Sequence, residues 1–119
     1  MLTELVSKAE KEITLIDNYV DVGTLNILTK KREKVIVHLY TMKKTKLSET
    51  DVNNFNQQYP VIEMHYTSEF HDRFLIVDET LAYHIGASIK DAGKKCFAIN
   101  RIEDKSTIES IVERLQTIE

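Results

Sequence analysis

The sequence predicts a single α/β domain over residues 1–119, with a mixed, largely parallel β-sheet flanked by helices. In the first half of the chain, β-prone apolar runs alternate with helical patterns, an order typical of parallel strands joined by helices. Near the middle, two β-prone runs are separated only by a short polar turn, which indicates an antiparallel hairpin. A length of 119 residues suits one hydrophobic core.

The first third of the chain is predicted to form a helix, a strand and a second helix. Apolar residues at helical spacing predict the first helix: Leu2, Leu5, Val6 and Ala9. The β-branched run at residues 13–19 predicts a buried strand. Asp21 is placed to cap a second helix, which carries Val22, Leu25 and Leu28 and ends at the basic stretch 30–32.

A second strand and a third helix follow. Residues 35–40 form another apolar, β-prone run. Residues 48–51 resemble a capping box, and they open a helix that carries Val52 and Phe55. Pro60 closes this helix, because proline cannot continue it.

The remainder is predicted to be mainly strands, at residues 61–66, 70–77, 81–85 and 96–102, with a turn at 78–80 inside the hairpin. Residues 106–109 resemble a capping box for a final helix. The apolar stripe of this helix consists of Ile108, Ile111, Val112, Leu115 and Ile118.

Composition excludes several classes of protein. Lys and Arg number 16 and Asp and Glu number 19, for a net charge of −3, so a generic basic coat for nucleic acid is excluded. Three glycines and one proline exclude collagen-like repeats and low-complexity linkers. Cys96 is the one cysteine, so no internal disulfide or Cys-x-x-Cys pair can form, which favours a reducing, cytoplasmic compartment. The charged N-terminus lacks the apolar run of a signal peptide or membrane span, so no membrane partner is expected.

A candidate anion-binding loop lies directly after the hairpin, at residues 86–95. Gly86 lets backbone N–H groups approach a ligand, while Ser88 and Lys90 supply further donors. The loop matches neither the P-loop nor the dinucleotide fingerprint. Its alternative interpretation is a surface loop with solvated lysines.

The first strand of the hairpin, predicted at residues 70–77, carries His71 and Arg73 near its start. Residues two apart in a strand share a face, so the imidazole and the guanidinium are expected side by side, where they suit a phosphate. Asp78 has the opposite parity, and a hydrogen bond near the turn is expected for it rather than direct chemistry.

These residues resemble the phospholipase D superfamily. His71, Arg73 and Asp78 reproduce its His-x-Lys-x4-Asp motif with arginine in place of lysine, and residues 86–88 resemble its Gly-Ser segment. The resemblance extends from about residue 13 to 102 and implies a mixed sheet flanked by helices. The amino-acid sequence at residues 70–78 and 84–91 also resembles phospholipase D-like domains that follow DNA-binding modules in phage-derived bacterial proteins.

The resemblance implies metal-independent phosphodiester transfer without a cofactor. One motif histidine attacks phosphorus, and a histidine from a second motif protonates the leaving oxygen. This chain has a single motif, so a complete site would require a homodimer that places His71 against its symmetry mate. In that arrangement Arg73 and Ser88 hold the phosphate.

Two departures from the family pattern bear on activity. A planar guanidinium does not replace a compact ammonium group, so transfer geometry could be lost while anion binding survives. Lys90 lies roughly where many family members have asparagine. We hypothesise that Lys90 compensates for the missing lysine.

Each singled-out residue also has a structural interpretation. His71 could be a hydrogen-bonded histidine at a strand end, and His84 is expected to pack beside the site. His38 and His65 are expected in ordinary strands without a role. Asp17 and Tyr19 could line the carboxyl edge of the sheet, although core packing explains Tyr19 equally well. A metal set of Glu63, His65, His71 and Asp72 follows no recognised ligand spacing, so no metal is predicted.

Two functional classes follow. The first is a homodimeric phosphodiesterase, with nucleic acid the expected substrate because no lipid-binding stripe is present. The second is a phosphate-binding or dimerisation module of a larger DNA-binding protein.

Overall fold

The structure, a computed structural model, describes residues 2–43, 47–70, 72–86 and 99–117. These residues form four helices, α1 (Leu2–Lys8), α2 (Val22–Leu28), α3 (Glu49–Gln58) and α4 (Lys105–Gln116). They also form six strands, β1 (Glu12–Ile16), β2 (Ile36–Thr41), β3 (Ile62–Tyr66), β4 (Arg73–Val77), β5 (Leu81–Ile85) and β6 (Ile99–Ile102).

The strands form one sheet in the order β3-β2-β1-β4-β5-β6. β1 pairs in parallel with β2, and β2 with β3, whereas the pairs β1–β4, β4–β5 and β5–β6 are antiparallel. The predicted mixed sheet is confirmed, but within the described residues parallel pairing covers less of it than the sequence predicts. The segment between β3 and β4 is too short for the crossover of a dozen or more residues that a parallel strand needs.

Helices cover both faces of the sheet. On one face, apolar side chains of α1, α2 and α3 pack on β1 to β4, around Leu15, Leu39 and Leu75. On the other face, α4 packs on the centre of the sheet, where Ile76 and Ala82 are buried. The result is a three-layer α/β/α domain.

Several helix caps agree with the sequence. The Asp21 carboxylate accepts a hydrogen bond from the Gly23 N–H at 2.9 Å, and Ser48 and Asp51 form the predicted capping box. The final helix begins earlier than predicted, because the side chain of Asp104 accepts from the Ser106 N–H and from the hydroxyl of Thr107. A carboxylate outcompetes the serine hydroxyl as a cap here, since it can accept several hydrogen bonds at once.

Besides the start of α4, three predicted element boundaries differ from the structure by two or more residues. The first strand ends at Ile16 rather than at residue 19, and α2 ends at Leu28. The basic stretch 30–32 follows α2 and is partly buried. Lys31 is buried, and its Nζ donates to the Pro60 carbonyl at 2.6 Å. β4 begins at Arg73 rather than at residue 70. The predicted placement of His71 beside Arg73 concerns a residue outside the described ranges. The predicted strand residues 96–98 and the stripe residue Ile118 lie outside the described residues.

Within the described part of the chain, none of the helices combines the length and the apolar character needed to cross a membrane.

Candidate active site

Strands β1, β4 and β5 bring polar residues to one edge of the sheet. β1 and β4 are antiparallel neighbours whose pairing at this edge joins Ile16 to Phe74. Asp17 directly follows β1 and Arg73 directly precedes Phe74, so the two charged residues meet at the edge. β5 ends there as well, and Gly86, which is exposed, follows it.

Arg73 lies between a buried carboxylate and an aromatic ring. Its Nε is 3.7 Å from Oδ1 of Asp17, whose side chain is completely buried, and its Cζ lies 5.2 Å from the centre of the Tyr19 ring. The same Asp17 oxygen accepts a hydrogen bond from the Tyr19 N–H at 2.9 Å. Within the described ranges, the buried Nε of Arg73 makes no hydrogen bond. The guanidinium is therefore oriented by charge and ring contact, and 27% of the Arg73 side chain remains exposed.

The chain just before position 71 is fixed to the same edge. Nδ2 of Asn18 donates to the carbonyl of Phe70 at 2.8 Å. The Phe70 ring is buried, and Cζ of Arg114 on α4 lies 4.3 Å from its centre. Arg114 also donates from Nη2 to the Glu69 carbonyl at 2.9 Å. The β1 terminus and α4 thus hold this segment from two sides.

The chain just after position 71 contacts β5. Oδ1 of Asp72 lies 3.7 Å from Nε2 of His84, and the His84 ring meets the Phe74 ring edge-on at 5.5 Å between centres. His84 therefore packs beside the edge, as the sequence predicts.

Comparisons with known proteins identify the fold. No protein-family model matches the chain, and no curated protein matches it. Among solved structures, NucT from Helicobacter pylori superposes with a TM-score of 0.69 at 11% identity, covering 98% of this chain and 84% of NucT. Nuc from Salmonella typhimurium, a phospholipase D family member, superposes with a TM-score of 0.67 at 18% identity, covering 97% of this chain and 82% of Nuc. The chain has a phospholipase D-like fold.

A third structure shares the fold within a longer protein. TrmBL2, an archaeal chromatin protein with a novel mode of DNA binding, superposes with a TM-score of 0.62 at 17% identity. The match covers 96% of this chain but 45% of TrmBL2. In TrmBL2 the phospholipase D-like fold is therefore less than half of the chain.

The structure separates the predicted motif residues into two groups. Arg73 and Gly86 lie at the edge described above, whereas Asp78 follows the other end of β4, roughly 16 Å away at strand spacing. His71, Ser88 and Lys90 lie outside the described residues.

Asp78 is hydrogen-bonded to the loop before β1. Its carboxylate accepts from the backbone N–H groups of Glu10, Lys11 and Glu12 at 3.0, 2.7 and 3.0 Å. Asp78 and Glu79 both adopt positive φ, 53° and 59°, in the predicted hairpin turn. Desolvation opposes ionisation of Asp78, but the three N–H donors outweigh it and hold the pKa of the carboxyl below its ordinary value. The residue joins the β4–β5 turn to the start of β1.

We expect Asp78→Ala to lower the free energy of unfolding by about 1–2 kcal/mol at neutral pH, because three N–H groups lose a charged acceptor. The folded-state pKa of Asp78 is lowered, so its contribution is fully present above the unfolded pKa, about 3.9, declines below that value and is lost as the pH falls through the lower folded-state pKa. Urea unfolding at pH 7 and pH 3 measures this, with Glu113→Gln on the exposed side of α4 as control. An equal difference between native and Asp78→Ala at both pH values would contradict the assignment.

The edge contains residues that the sequence indicated only weakly. Asp17 and Tyr19 were expected as possible lining, and both lie at the edge; Tyr19 is 55% exposed, so core packing does not explain it. The role of Asn18 was missed, although a polar Asp-Asn pair directly after a buried strand was a usable signal.

The metal set that the sequence suggested does not form one cluster among its described members, Glu63, His65 and Asp72. Glu63 and His65 lie on β3, and Asp72 precedes β4, with β2 and β1 between those two strands.

Proposed function

We propose that this chain is a phosphodiesterase of the phospholipase D type that acts on nucleic acid, with His71 as nucleophile. The observation that carries the proposal is the Arg73 guanidinium, held by Asp17 and Tyr19 at the edge where the Phe70 carbonyl is hydrogen-bonded by Asn18 and Asp72 lies near His84. The similarity of the fold to NucT and Nuc supports it.

Arg73 is proposed to bind the phosphate. A guanidinium presents five N–H donors in a planar fork that suits phosphate oxygens. The 3.7 Å separation from Asp17 exceeds an ordinary hydrogen bond, so the pair orients the guanidinium and leaves its donors able to engage an anion. Gly86 is at the same edge, and Ser88 and Lys90 follow it closely in sequence, so we include these three as phosphate-binding residues.

The proposed reaction has two steps. An imidazole nitrogen of His71 attacks phosphorus, so that a P–N bond forms as the bond to the leaving oxygen breaks, and a second histidine donates a proton to that oxygen. Water then attacks the phosphohistidine, the P–N bond breaks, and the second histidine takes the proton from the water. Asp78 is proposed to support this site from a distance, by fixing the β4–β5 turn.

The second histidine is proposed to be His71 of a second copy. One motif supplies one histidine, and a two-fold interface brings the same residue from both copies to its axis. We expect sedimentation velocity to show a dimer. A monomer that persists at the highest soluble concentration would exclude the shared site. If that monomer still hydrolyses phosphodiesters, the shared site is wrong but His71 can still be the nucleophile.

The roles of Arg73 and Lys90 can be tested separately. We expect Arg73→Ala to weaken binding of a phosphodiester by about 10²-fold, since a charge-assisted bidentate contact is lost. If Lys90 replaces the family lysine, Lys90→Ala weakens it as well. Fluorescence anisotropy with labelled single-stranded DNA measures both, with Arg101→Ala on exposed β6 as the matched control. An effect of only one substitution would contradict the compensation.

The proposal is tested by hydrolysis of bis-para-nitrophenyl phosphate and single-stranded DNA in the presence of EDTA. We expect the native chain to release para-nitrophenolate without metal. No release from the folded chain would overturn the enzymatic proposal.

That negative result would favour a second function, a phosphate-binding dimerisation module of a larger DNA-binding protein. The fold is shared with TrmBL2, of which it forms less than half, and this observation favours the alternative. Binding of DNA without turnover would support it.

A further inference from the structure

A second polar cluster lies on β2 and β3, separate from the Arg73 site. The parallel register places His38 opposite Glu63 and Tyr40 opposite His65, and alternation along each strand puts all four side chains on one face. Nδ1 of His38 is 3.1 Å from Oε2 of Glu63. One donor atom from each of His38, Glu63 and His65 fits within 4.8 Å of the other two.

The imidazole of His65 is held in place but lacks a partner for one nitrogen. Its ring stacks on the Tyr40 ring with centres 4.5 Å apart. Its Nε2 is buried, and no hydrogen bond reaches it from any described residue. A buried polar nitrogen without a partner is costly, so a ligand that accepts its lone pair would remove that cost.

The imidazole of His38 is oriented from its other side. Nε2 of His38 lies 3.8 Å from Oε2 of Glu12 on β1, while Nδ1 faces Glu63. A histidine that binds a metal commonly donates its second N–H to a carboxylate, which fixes the ring and its tautomer. At 3.8 Å Glu12 makes no hydrogen bond to the outer nitrogen of His38, but its carboxylate faces that nitrogen and favours a proton there electrostatically.

We propose that His38, Glu63 and His65 bind a divalent transition-metal ion, for which Zn²⁺ is the expected species. Two imidazoles and one carboxylate are a common donor set for Zn²⁺, whereas Mg²⁺ and Ca²⁺ prefer oxygen donors throughout. The ion would join the edge strand β3 to β2. Three protein ligands leave a fourth tetrahedral position for water or another ligand. Half of the Glu63 side chain is exposed, so an ion can reach the cluster from solvent.

The site is independent of the proposed phosphodiesterase, because the two share no residue. Metal binding can therefore be measured without any assay of hydrolysis, and either proposal can fail alone.

Calorimetric titration of the EDTA-treated, dialysed chain with ZnCl₂ tests the site. We expect one tightly bound ion per chain, no comparable binding of MgCl₂, and a higher unfolding temperature with Zn²⁺. His65→Ala should weaken Zn²⁺ binding by at least about 10²-fold, and Glu12→Gln, which removes only a negative charge near the outer nitrogen of His38, by at most about 10-fold. His84→Ala, a histidine outside the cluster, should bind as the native chain does.

Two results would overturn the site: absence of Zn²⁺ binding by the native chain, or unchanged affinity in His65→Ala. If His65→Ala does not fold, Glu63→Gln provides the same test at a half-exposed position. Zn²⁺ binding that Glu63→Gln leaves unchanged would also contradict the proposal.

Discussion

Replacement of His71 by alanine is expected to lower phosphodiester hydrolysis in EDTA by at least about 10³-fold, because the proposed nucleophile is the imidazole of this residue. Loss of a nucleophile removes the covalent route itself rather than one stabilising contact. The measurement is release of para-nitrophenolate from bis-para-nitrophenyl phosphate by native and His71→Ala chains.

The His71→Ala comparison requires controls for folding and for contamination by another nuclease. Circular dichroism should give the same unfolding temperature for both chains within a few degrees. Arg101→Ala, purified in the same way, should retain the native rate. Hydrolysis that persists in His71→Ala would show that another group, or another protein, carries out the reaction.

Removal of Asp17 is expected to have the largest effect on stability. The Asp17 side chain is fully buried against Arg73 and also accepts the N–H of Tyr19, so Asp17→Ala leaves a partly buried guanidinium without its counter-charge and an amide without its acceptor. Removing one partner of a buried ion pair typically costs about 3–5 kcal/mol; exposure of Arg73 reduces this, and we expect about 2–4 kcal/mol in urea unfolding at neutral pH.

Two further variants identify the cause of that loss. Asp72→Ala removes an exposed carboxylate 3.7 Å from a histidine and should cost at most about 0.5 kcal/mol. The double variant Asp17→Ala, Arg73→Ala should be less destabilised than the sum of the single variants, because the pair is coupled. A cost below about 1 kcal/mol for Asp17→Ala, or strict additivity, would contradict the role given to this pair.

Local signals in the sequence predicted several elements correctly where the structure depends on neighbouring residues. The Ser48–Asp51 capping box and the Asp21 cap are contacts within one turn of helix, and the 78–80 turn joins adjacent strands. Each is determined by a few consecutive side chains. The apolar positions on α4 were also predicted, because helical spacing alone identifies the face that packs on the sheet.

Contacts between distant residues could not be predicted in the same way. β-propensity continued the first strand to residue 19, but the Asp17 side chain accepts the Tyr19 N–H and turns the chain after Ile16. The pairing of Asp17 with Arg73 depends on β1 and β4 being neighbours, which no local pattern specifies.

The cluster of His38, Glu63 and His65 was missed for a related reason. It depends on the parallel register of β2 and β3, and a shift by one residue would move its members to opposite faces. The Glu63-Met64-His65 spacing was the available signal, since it places a carboxylate and an imidazole on the same face of one strand.

Mass spectrometry of the protein during turnover shows directly whether His71 carries the phosphoryl group. The chain is mixed with bis-para-nitrophenyl phosphate in EDTA and quenched within the first turnover under alkaline conditions, which preserve a P–N bond. We expect a para-nitrophenylphosphoryl adduct on the peptide that contains His71, and none on the His71→Ala chain. Turnover with an adduct at another residue, or the same adduct on His71→Ala, would contradict the role proposed for His71.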